Sequence, residues 1–420
     1  MWWLVDVIGG LVLLAWIWLM LFRGGYWRTT MHLGSAPATM PGSAQIPSRA
    51  DNRAGNHTDD KAWPSVCVIV PARNEADMLP KTLPALLSQQ YDGKYSVVIV
   101  DDHSEDSTAR TAVEIAQQSG AAERLTVISS PALPEGWTGK VFAQQTGLQH
   151  APADAEYVLF TDADILHPPN SLQTLVRQAA NTRADLVSLM VRLDIQGFWA
   201  SILIPAFVYF FAMLYPFQWV ANPRRRTAAA AGGSILVRRK LVARDGGLAP
   251  MADALIDDCA LAKLVQSRGG TLWLGLGDDV ASLREAANLQ SIWNMVARSA
   301  YVQLKYSFIL LVGTVVGMAL LYLYPVVLAL VSIALLATNE PTPSETMGLI
   351  VNGLAWVLMT ASFMPMLAWY RVSRWKAMWI PLSGLLYTLM TIDSARRFWL
   401  GKEDAWKGRP YRRYHSAKPL

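Results

Sequence analysis

The sequence predicts an α/β domain with a mainly parallel sheet, accompanied by apolar segments that are long enough to form membrane helices. Short apolar runs alternate with helical patterns in the first half of the chain, as in domains whose strands are joined by helices. The chain of 420 residues is 52% hydrophobic, contains 17 Trp and has a mean hydropathy of +0.23, which is too apolar for an ordinary soluble enzyme. We therefore expect a membrane protein with a soluble domain.

The elements of this domain follow from the period of the apolar residues. Apolar runs predict strands at 66–70, 96–100, 125–128, 157–160 and 186–191. Helical patterns predict helices at 75–90, 107–118, 140–150, 171–180 and 255–264. Because a helix between two strands usually returns the second strand parallel to the first, this alternation favours a parallel sheet.

Both ends of the chain carry predicted membrane segments. The apolar run 4–22 is expected to be an uncleaved anchor, since no Lys or Arg precedes it, whereas Arg23 and Arg28 follow it. By the positive-inside rule these arginines place the next domain in the cytoplasm. The predicted organisation begins with an anchor at 1–22 and a linker at 23–62, which is expected to be flexible from residue 34. An α/β domain follows at 63–306. The chain then continues with a membrane region at 307–394, which is expected to contain two to four spans, and a basic, cytoplasmic tail at 395–420.

Charge and cysteine content limit the partners and the compartment. The formal net charge is +5, but the basic residues gather beside apolar runs, where they fit anionic lipid headgroups better than nucleic acid. We therefore expect no nucleic-acid partner. Cys67 and Cys259 are the two cysteines of the chain and are expected to be reduced residues of the core.

The stretch Tyr157–Asp164 combines a predicted buried strand with two acids, Asp162 and Asp164, at its end. Residues two apart in an extended segment point the same way, so both carboxylates are expected to face one divalent cation. Such a cation bridges readily to the oxygens of a nucleotide diphosphate. The alternative is a solvated turn after a strand.

Two other predicted strands also end in polar loops. The first loop contains Pro71, Ala72, Arg73 and Glu75, and the second contains Asp101 and Asp102. Carboxyl ends of parallel strands share one edge of a sheet, where these carboxylates would repel one another unless a cation or a ligand lay among them. A nucleotide with a metal ion satisfies this requirement: Asp102 accepts from a base, while Arg73 and Lys140 offset diphosphate charge. Helix capping is the alternative for Asp106 and Ser107.

These motifs together resemble the family 2 glycosyltransferases of GT-A fold. The resemblance rests on VIVPARNEADML, VVIVDDHSEDST, FTDAD and the later Asp257-Asp258, and it covers about residues 64–306. The chain is most similar to membrane-anchored members that act on lipids, including ceramide glucosyltransferase-like and carotenoid-modifying enzymes. The apolar flanks and the tail WKGRPY suggest the bacterial hopanoid-associated branch.

The resemblance implies a Rossmann-like GT-A domain on the cytoplasmic side of the bacterial inner (plasma) membrane, in a multi-pass protein. It implies a nucleotide-sugar donor such as a UDP-sugar, a lipid acceptor and a divalent cation, Mg²⁺ or Mn²⁺. It assigns Ala72, Glu75 and Asp102 to the nucleoside with Lys140 nearby, and Asp162 and Asp164 to the metal and diphosphate. Pro71, Arg73 and Asp101 are expected in the same donor site.

The second half of the domain is expected to supply the acceptor site and the catalytic base. Small residues around Gly232, Gly233 and Ser234 allow a substrate to approach the backbone, although a tight turn before a strand explains them equally. Asp257 and Asp258 open a predicted helix, where acids also favour the helix dipole. The resemblance aligns this pair with the Glu-Asp motif of the family, whose second acid is the base, and so implies this role for Asp258.

Two further predictions concern Arg298 and the segment 198–220. Polysaccharide synthases of the family carry Gln-x-x-Arg-Trp, whereas here Ser299 follows Arg298, which favours single transfer over polymerisation. Arg298 is expected either to reach the diphosphate or to be a basic interfacial residue. Residues 198–220 are long enough to span, but crossing would separate Asp258 from Asp162, so we expect an interfacial segment that guides the lipid acceptor.

The leading hypothesis is therefore an inverting, metal-dependent hexosyltransferase. One alternative is a membrane receptor or scaffold that binds a nucleotide without turnover. Another is a nucleotidyltransferase, but that class is expected to carry a Gly/Lys-rich phosphate loop near the first strand, and PARNE is not such a loop.

Overall fold

A computed structural model of the chain describes residues 2–34, 63–286, 288–338 and 342–401, with two short strands at 405–406 and 409–410. The chain forms two compact units. We call the first the helical unit; it comprises Met1–Thr30, Asp194–Gln218 and Glu285–Lys402. The second, called the sheet unit, contains Met31–Leu193 and Trp219–Arg284.

The sheet unit is built on an eight-stranded mixed sheet. Its strands are β1 Val66–Ala72, β2 Tyr95–Asp101, β3 Leu125–Ser129, β4 Tyr157–Thr161, β5 Ile165–Leu166, β6 Leu186–Arg192, β7 Ser234–Arg238 and β8 Leu272–Ser282, in the order β3-β2-β1-β4-β7-β6-β8-β5. Strands β1 to β4 run parallel, whereas β7 runs antiparallel to both β4 and β6. The five predicted strands are confirmed, and the carboxyl ends of β1, β2 and β4 share one edge.

The helices are numbered along the whole chain. They are α1 Trp2–Phe22, α2 Leu79–Leu87, α3 Thr108–Gln118, α4 Gly139–His150, α5 Ser171–Thr182, α6 Phe198–Leu214, α7 Phe217–Val220, α8 Arg239–Val242, α9 Asp257–Ser267, α10 Leu289–Ala297, α11 Ala300–Gln303, α12 Phe308–Met318, α13 Tyr324–Thr338, α14 Pro343–Trp369 and α15 Ile380–Trp399. A π-helical segment, Ala319–Leu323, joins α12 to α13. Strands β9 Ala405–Trp406 and β10 Arg409–Pro410 form a short antiparallel pair.

Both faces of the sheet are covered, as the near-complete burial of β1 requires. One core cluster contains alternate residues of β1 with apolar residues of α2, α3 and α5, for example Val68, Leu83 and Leu172. Helix α4 lies closely against the sheet because Gly147 leaves no side chain there; a Cβ would come within 2.4 Å of Ile69 Cγ2. This close packing fixes the helix whose first turn carries Lys140.

Among the described residues, three helical segments are long and apolar enough to cross a membrane, namely Phe198–Val220, Phe308–Thr338 and Pro343–Trp369. Within the helical unit, α6 packs against α14: Tyr209 Oη lies 2.7 Å from Ser362 Oγ. The apolar run 377–392 is divided between a 3₁₀ helix, Arg374–Trp379, and α15. The interfacial position expected for 198–220 stays a prediction, since length and composition also suit a span.

The compact units differ from the domain boundaries drawn on the sequence. Residues 194–218 and 285–306, which the sequence assigns to the soluble domain, group with the helical unit. In the predicted linker 23–62, residues Tyr26–Arg28 form a 3₁₀ helix and His32 bridges to Leu276 of β8. The flexible part predicted from residue 34 lies almost wholly outside the described residues, as does most of the tail from 402.

Candidate active site

The loops after β1 and β2 are tied to each other by reciprocal hydrogen bonds. The Asn74 backbone N–H donates to Ser104 Oγ at 3.0 Å, and the Glu105 N–H donates to Asn74 Oδ1 at 2.8 Å. Asn74 and His103 both adopt left-handed backbone conformations, with φ of 52° and 53°. Such conformations are uncommon for residues other than glycine and concentrate at functional sites, where the surrounding contacts offset their cost.

Arg73 supports the second loop from within. Its Nη1 donates to the Asp102 and His103 carbonyl oxygens at 2.5 and 2.8 Å, and Nη2 lies 3.3 Å from Glu105 Oε1. These contacts give Arg73 a scaffolding role, and its expected contact with the diphosphate stays a prediction. The structure brings the predicted donor residues of these two loops together, because Ala72 lies opposite Asp101 in the register of β1 and β2. The predicted donor residues of these loops are Pro71, Ala72, Arg73, Glu75, Asp101 and Asp102.

Lys140 joins the end of β4 to the start of α9. Its Nζ lies 2.8 Å from Asp162 Oδ1 and 3.2 Å from Asp257 Oδ2. Gln144, one turn further along α4, donates to the same oxygen of Asp257 at 3.1 Å. Burial alone would lower the pKa of Lys140, but the charges of Asp162 and Asp257 raise it overall, so the ammonium stays protonated.

Asp258 is held in place by two backbone donors at the start of α9. Its Oδ2 accepts from the Gly232 N–H at 3.0 Å, and its Oδ1 accepts from the Cys259 N–H at 2.6 Å. Desolvation, followed by repulsion from Asp257, raises the pKa of Asp258 to about 7. A carboxylate with a pKa near neutrality is suited to accept a proton during a reaction.

The backbone of Gly232 lines a small space between these side chains. A Cβ at this position would lie 3.5 Å from Lys140 Nζ, 3.6 Å from Asp258 Oδ2 and 3.8 Å from Asp162 Oδ2. An ammonium and two carboxylates therefore bound a space that the glycine leaves open. At this point predicted donor, base and acceptor residues come together.

The other two residues predicted at the acceptor site are placed for packing. A Cβ on Gly233 would lie 2.8 Å from Val191 Cγ2, so the glycine lets β6 approach. Ser234 is the first residue of β7 and is fully buried, with Oγ unpartnered among the described residues. Of the three residues, Gly232 alone lines the space described above.

Asp164 has partners that differ from those of Asp162. Its Oδ2 accepts from Ser282 Oγ at 2.5 Å, and its Oδ1 lies 3.4 Å from Arg284 Nη2. The same nitrogen lies 2.9 Å from Glu75 Oε1. Sequence reasoning missed Ser282 and Arg284, because an arginine after the apolar run of β8 matches no known motif. Their position follows from the pairing of β8 with β5, which directly follows Asp164.

The residues fit a divalent cation held largely by ligand oxygens. Across the described part of the chain, no group of three or more His, Cys, Asp or Glu side chains is placed to hold a metal ion. Mg²⁺ is commonly held by one or two carboxylates together with substrate phosphates. Asp162 Oδ2 borders the space beside Gly232 and suits that arrangement. Shared ligation by Asp164 stays a prediction, since its two oxygens contact Ser282 and Arg284.

Arg298 lies in the helical unit, at the C-terminal cap of α10. Its expected contact with the diphosphate therefore also stays a prediction.

A mixed sheet with acidic loops at the ends of β1, β2 and β4 and an acid pair opening α9 has the arrangement of a GT-A fold. Residues 67–244 match the family model described as Glycosyl transferase family 2. The fold is similar to that of mannosyltransferase PcManGT from Pyrobaculum calidifontis, solved in complex with GDP-Man and Mn²⁺. The two chains are 22% identical, with a TM-score of 0.52 over 95% of this chain and 100% of that one.

Curated relatives match a shorter part of the chain. A 4,4'-diaponeurosporenoate glycosyltransferase from Staphylococcus haemolyticus is 32% identical over 117 residues, which is 28% of each chain. An undecaprenyl-phosphate 4-deoxy-4-formamido-L-arabinose transferase from Edwardsiella ictaluri is 30% identical over 144 residues, 34% of this chain and 41% of that one. The chain thus spans less than half the length of these relatives.

Proposed function

We propose that the protein transfers a hexose from a nucleotide-diphosphate sugar to a lipid acceptor at a membrane, by one inverting, metal-dependent displacement. The observation that carries this proposal is the convergence of Lys140, Asp162 and Asp258 on the open space beside Gly232. Transfer of a sugar requires positive charge near the diphosphate leaving group and a carboxylate that accepts the proton of the incoming hydroxyl. This space offers both.

The donor is expected to lie along the edge formed by β1, β2 and β4. Glu75 and Asp102 contact the nucleoside, and Lys140 lies beside the diphosphate. Asp162, with Asp164 as the predicted second ligand, would hold Mg²⁺ or Mn²⁺, which when bound neutralises charge that develops on the departing diphosphate. Asp257 pairs with Lys140 and so keeps the ammonium next to Asp162.

Asp258 serves as the general base. Its Oδ2 takes the proton of the acceptor hydroxyl as that oxygen forms a bond to the anomeric carbon. The bond from this carbon to the diphosphate oxygen breaks, and the electron pair leaves with the nucleoside diphosphate. Attack opposite the leaving group inverts the anomeric centre without a covalent enzyme intermediate. The N–H groups of Gly232 and Cys259 keep the carboxylate oriented.

A lipid acceptor is supported by the apolar helices and by the relatives. Three segments in the described part of the chain suit membrane spans, and the names of two relatives refer to undecaprenyl phosphate and to diaponeurosporenoate. The resemblance to the hopanoid-associated branch makes a hopanoid-related lipid the first acceptor to test. It also supports a multi-pass protein of the bacterial inner membrane with its transferase domain in the cytoplasm.

The experiment uses purified protein in nanodiscs, UDP- and GDP-sugars, and three acceptors: a hopanoid, a polyprenyl phosphate and a ceramide. Release of nucleoside diphosphate and the mass of the lipid product are measured, with Asp258→Asn as the inactive control. We expect one donor and acceptor pair to give a lipid heavier by one hexose. Tight nucleotide binding without turnover on any lipid would instead indicate a receptor.

A further inference from the structure

Arg284 lies two residues after the end of β8 and contacts carboxylates from two other strand-end loops. Its Nη2 lies 2.9 Å from Glu75 Oε1, after β1, and 3.4 Å from Asp164 Oδ1, after β4. The two acidic side chains are 7% and 11% exposed, whereas the Arg284 side chain is 45% exposed. Arg284 therefore reaches from the surface to the edge where the predicted donor loops meet.

The other cations at this edge are enclosed by protein. The Lys140 side chain is 16% exposed and lies between Asp162 and Asp257. The Arg73 side chain is 10% exposed and is used by the carbonyl groups of the β2 loop. Of these three cations, Arg284 has by far the most surface available to a ligand.

The guanidinium also has donors that its protein partners leave unused. Arginine carries five N–H groups in a planar fork whose edges match pairs of carboxylate or phosphate oxygens. Glu75 and Asp164 both engage Nη2, whereas Nε and Nη1 have no hydrogen-bond partner among the described residues. The two buried acids thus occupy Nη2 and leave the N–H groups of Nε and Nη1 for an anion.

We propose that Arg284 binds the diphosphate of the nucleotide-sugar donor through the N–H groups of Nε and Nη1. The inference rests on the proposed function, because it takes the edge at β1 and β4 as the donor site. A phosphate on a lipid acceptor has the same chemistry. The donor is favoured because Glu75 belongs to the loop expected to contact the nucleoside, and Asp164 belongs to the Asp-x-Asp pair.

The test is calorimetric titration of the full-length protein in detergent micelles with UDP, GDP, uridine, guanosine and a short polyprenyl phosphate. The variants are Arg284→Gln, Arg284→Lys and Arg244→Gln. Arg244 is a matched control, because its side chain is 48% exposed and contacts Asp245 and the Arg268 carbonyl oxygen, neither of which belongs to the β1 or β4 loop. All variants are first checked for unchanged thermal unfolding.

We expect Arg284→Gln to weaken binding of the preferred nucleoside diphosphate by about tenfold or more, while binding of its nucleoside changes by less than about twofold. Arg284→Lys should recover part of the affinity, since it keeps the charge but loses the fork. Arg244→Gln should bind like the wild type.

Three results overturn the proposal: equal weakening of nucleoside and nucleoside diphosphate, unchanged binding of both, or a loss confined to polyprenyl phosphate. If Arg284→Gln does not fold, Arg284→Lys decides, and wild-type diphosphate affinity in that variant overturns the proposal. A wild-type protein that binds no nucleoside diphosphate contradicts the proposed function itself, which separates the two failures.

Discussion

Lys140 Nζ lies 2.8 Å from Asp162 Oδ1, so the first acid of the Asp-x-Asp pair is neutralised by the chain itself. The acids at the ends of β1, β2 and β4 require positive charge among them. The chain supplies part of this charge, since Lys140 joins two carboxylates and Arg284 joins two others. The proposed donor and cation would therefore enter a site whose charges are already partly balanced.

Replacing Lys140 should show how much its ion pairs contribute to the stability of the folded protein. We expect Lys140→Met to destabilise the folded protein by on the order of 3 kcal/mol, because it leaves Asp162 and Asp257 close together without their cation. The double variant Lys140→Met/Asp257→Asn should regain part of the loss, since only one of those acids remains. The measurement is thermal unfolding of the purified protein. A Lys140→Met variant as stable as the wild type would show that the ion pairs contribute nothing.

Substitutions of the proposed base and of the predicted metal ligand should impair different steps, namely sugar transfer and donor binding. Asp258→Asn keeps the shape but cannot accept a proton, so transfer should fall by about 10²–10⁴-fold with donor binding nearly unchanged. Asp164→Asn should weaken cation-dependent donor binding, because the cation loses an anionic oxygen. Turnover and donor binding with and without Mn²⁺ are measured on both variants.

Two outcomes would contradict these roles. If Asp258→Asn transfers sugar at the wild-type rate, Asp258 is only an acid at the start of a helix, and Asp257 or Asp253 becomes the candidate base. If Asp164→Asn binds donor with unchanged dependence on Mn²⁺, Asp164 serves Ser282 and Arg284 instead of a metal.

His167 should make the stability of the fold sensitive to acid. The ring is 1% exposed and lies 2.9 Å from both Thr161 Oγ1 and Ser171 Oγ, and burial lowers its pKa to about 4. Because this pKa is below the unfolded value, the folded state disfavours protonation. The contribution of His167 is therefore complete above about pH 6.5 and is lost as the pH falls toward 4, with about 2 kcal/mol lost at pH 5.

The check is thermal unfolding between pH 7 and pH 5. His167→Gln should show a smaller loss of stability on acidification than the wild type, whatever its stability at pH 7. His150→Gln, at an exposed position at the end of α4, is the control and should follow the wild type. Equal acid sensitivity in all three proteins would rule out His167 as the source.

Much of the fold is readable from the sequence, because a run such as Val66–Val70 has the length and apolar content of a buried strand. Strand β8 cannot be predicted in this way, since Gly275 and Gly277 interrupt its apolar residues and Asp278 follows them. The antiparallel direction of β7 also cannot be predicted from the sequence. It depends on pairing with β4 and β6, which no local pattern encodes.

The candidate site divides in the same way. Asp162 and Asp258 are found from motifs, and both carboxylates approach Gly232, while their roles stay predictions. Gln144 and Arg284 were missed, because the contacts that place them join residues more than 100 positions apart. Such contacts follow from the order of strands in the sheet, whereas sequence spacing informs only about neighbours in one element.

The space beside Gly232 gives the sharpest test of the site, because the neighbouring glycine provides a contrasting control. A methyl group at Gly232 would make ordinary contacts of 3.5–3.8 Å with Lys140, Asp258 and Asp162. Gly232→Ala should therefore fold normally but fill the space needed by the reacting groups. A methyl group at Gly233 would lie 2.8 Å from Val191 Cγ2, so Gly233→Ala should mainly destabilise the fold, by about 1–3 kcal/mol of overpacking.

The two variants are compared by thermal unfolding and by sugar transfer per folded molecule. We expect Gly232→Ala to unfold like the wild type while transfer falls by at least about tenfold, equivalent to roughly 1.4 kcal/mol in the activation barrier. Gly233→Ala should show the reverse: lower stability, with activity per folded molecule closer to the wild type. If Gly232→Ala is as active as the wild type, the reacting groups do not meet beside Gly232, and Asp258 loses the geometric support for its role as base.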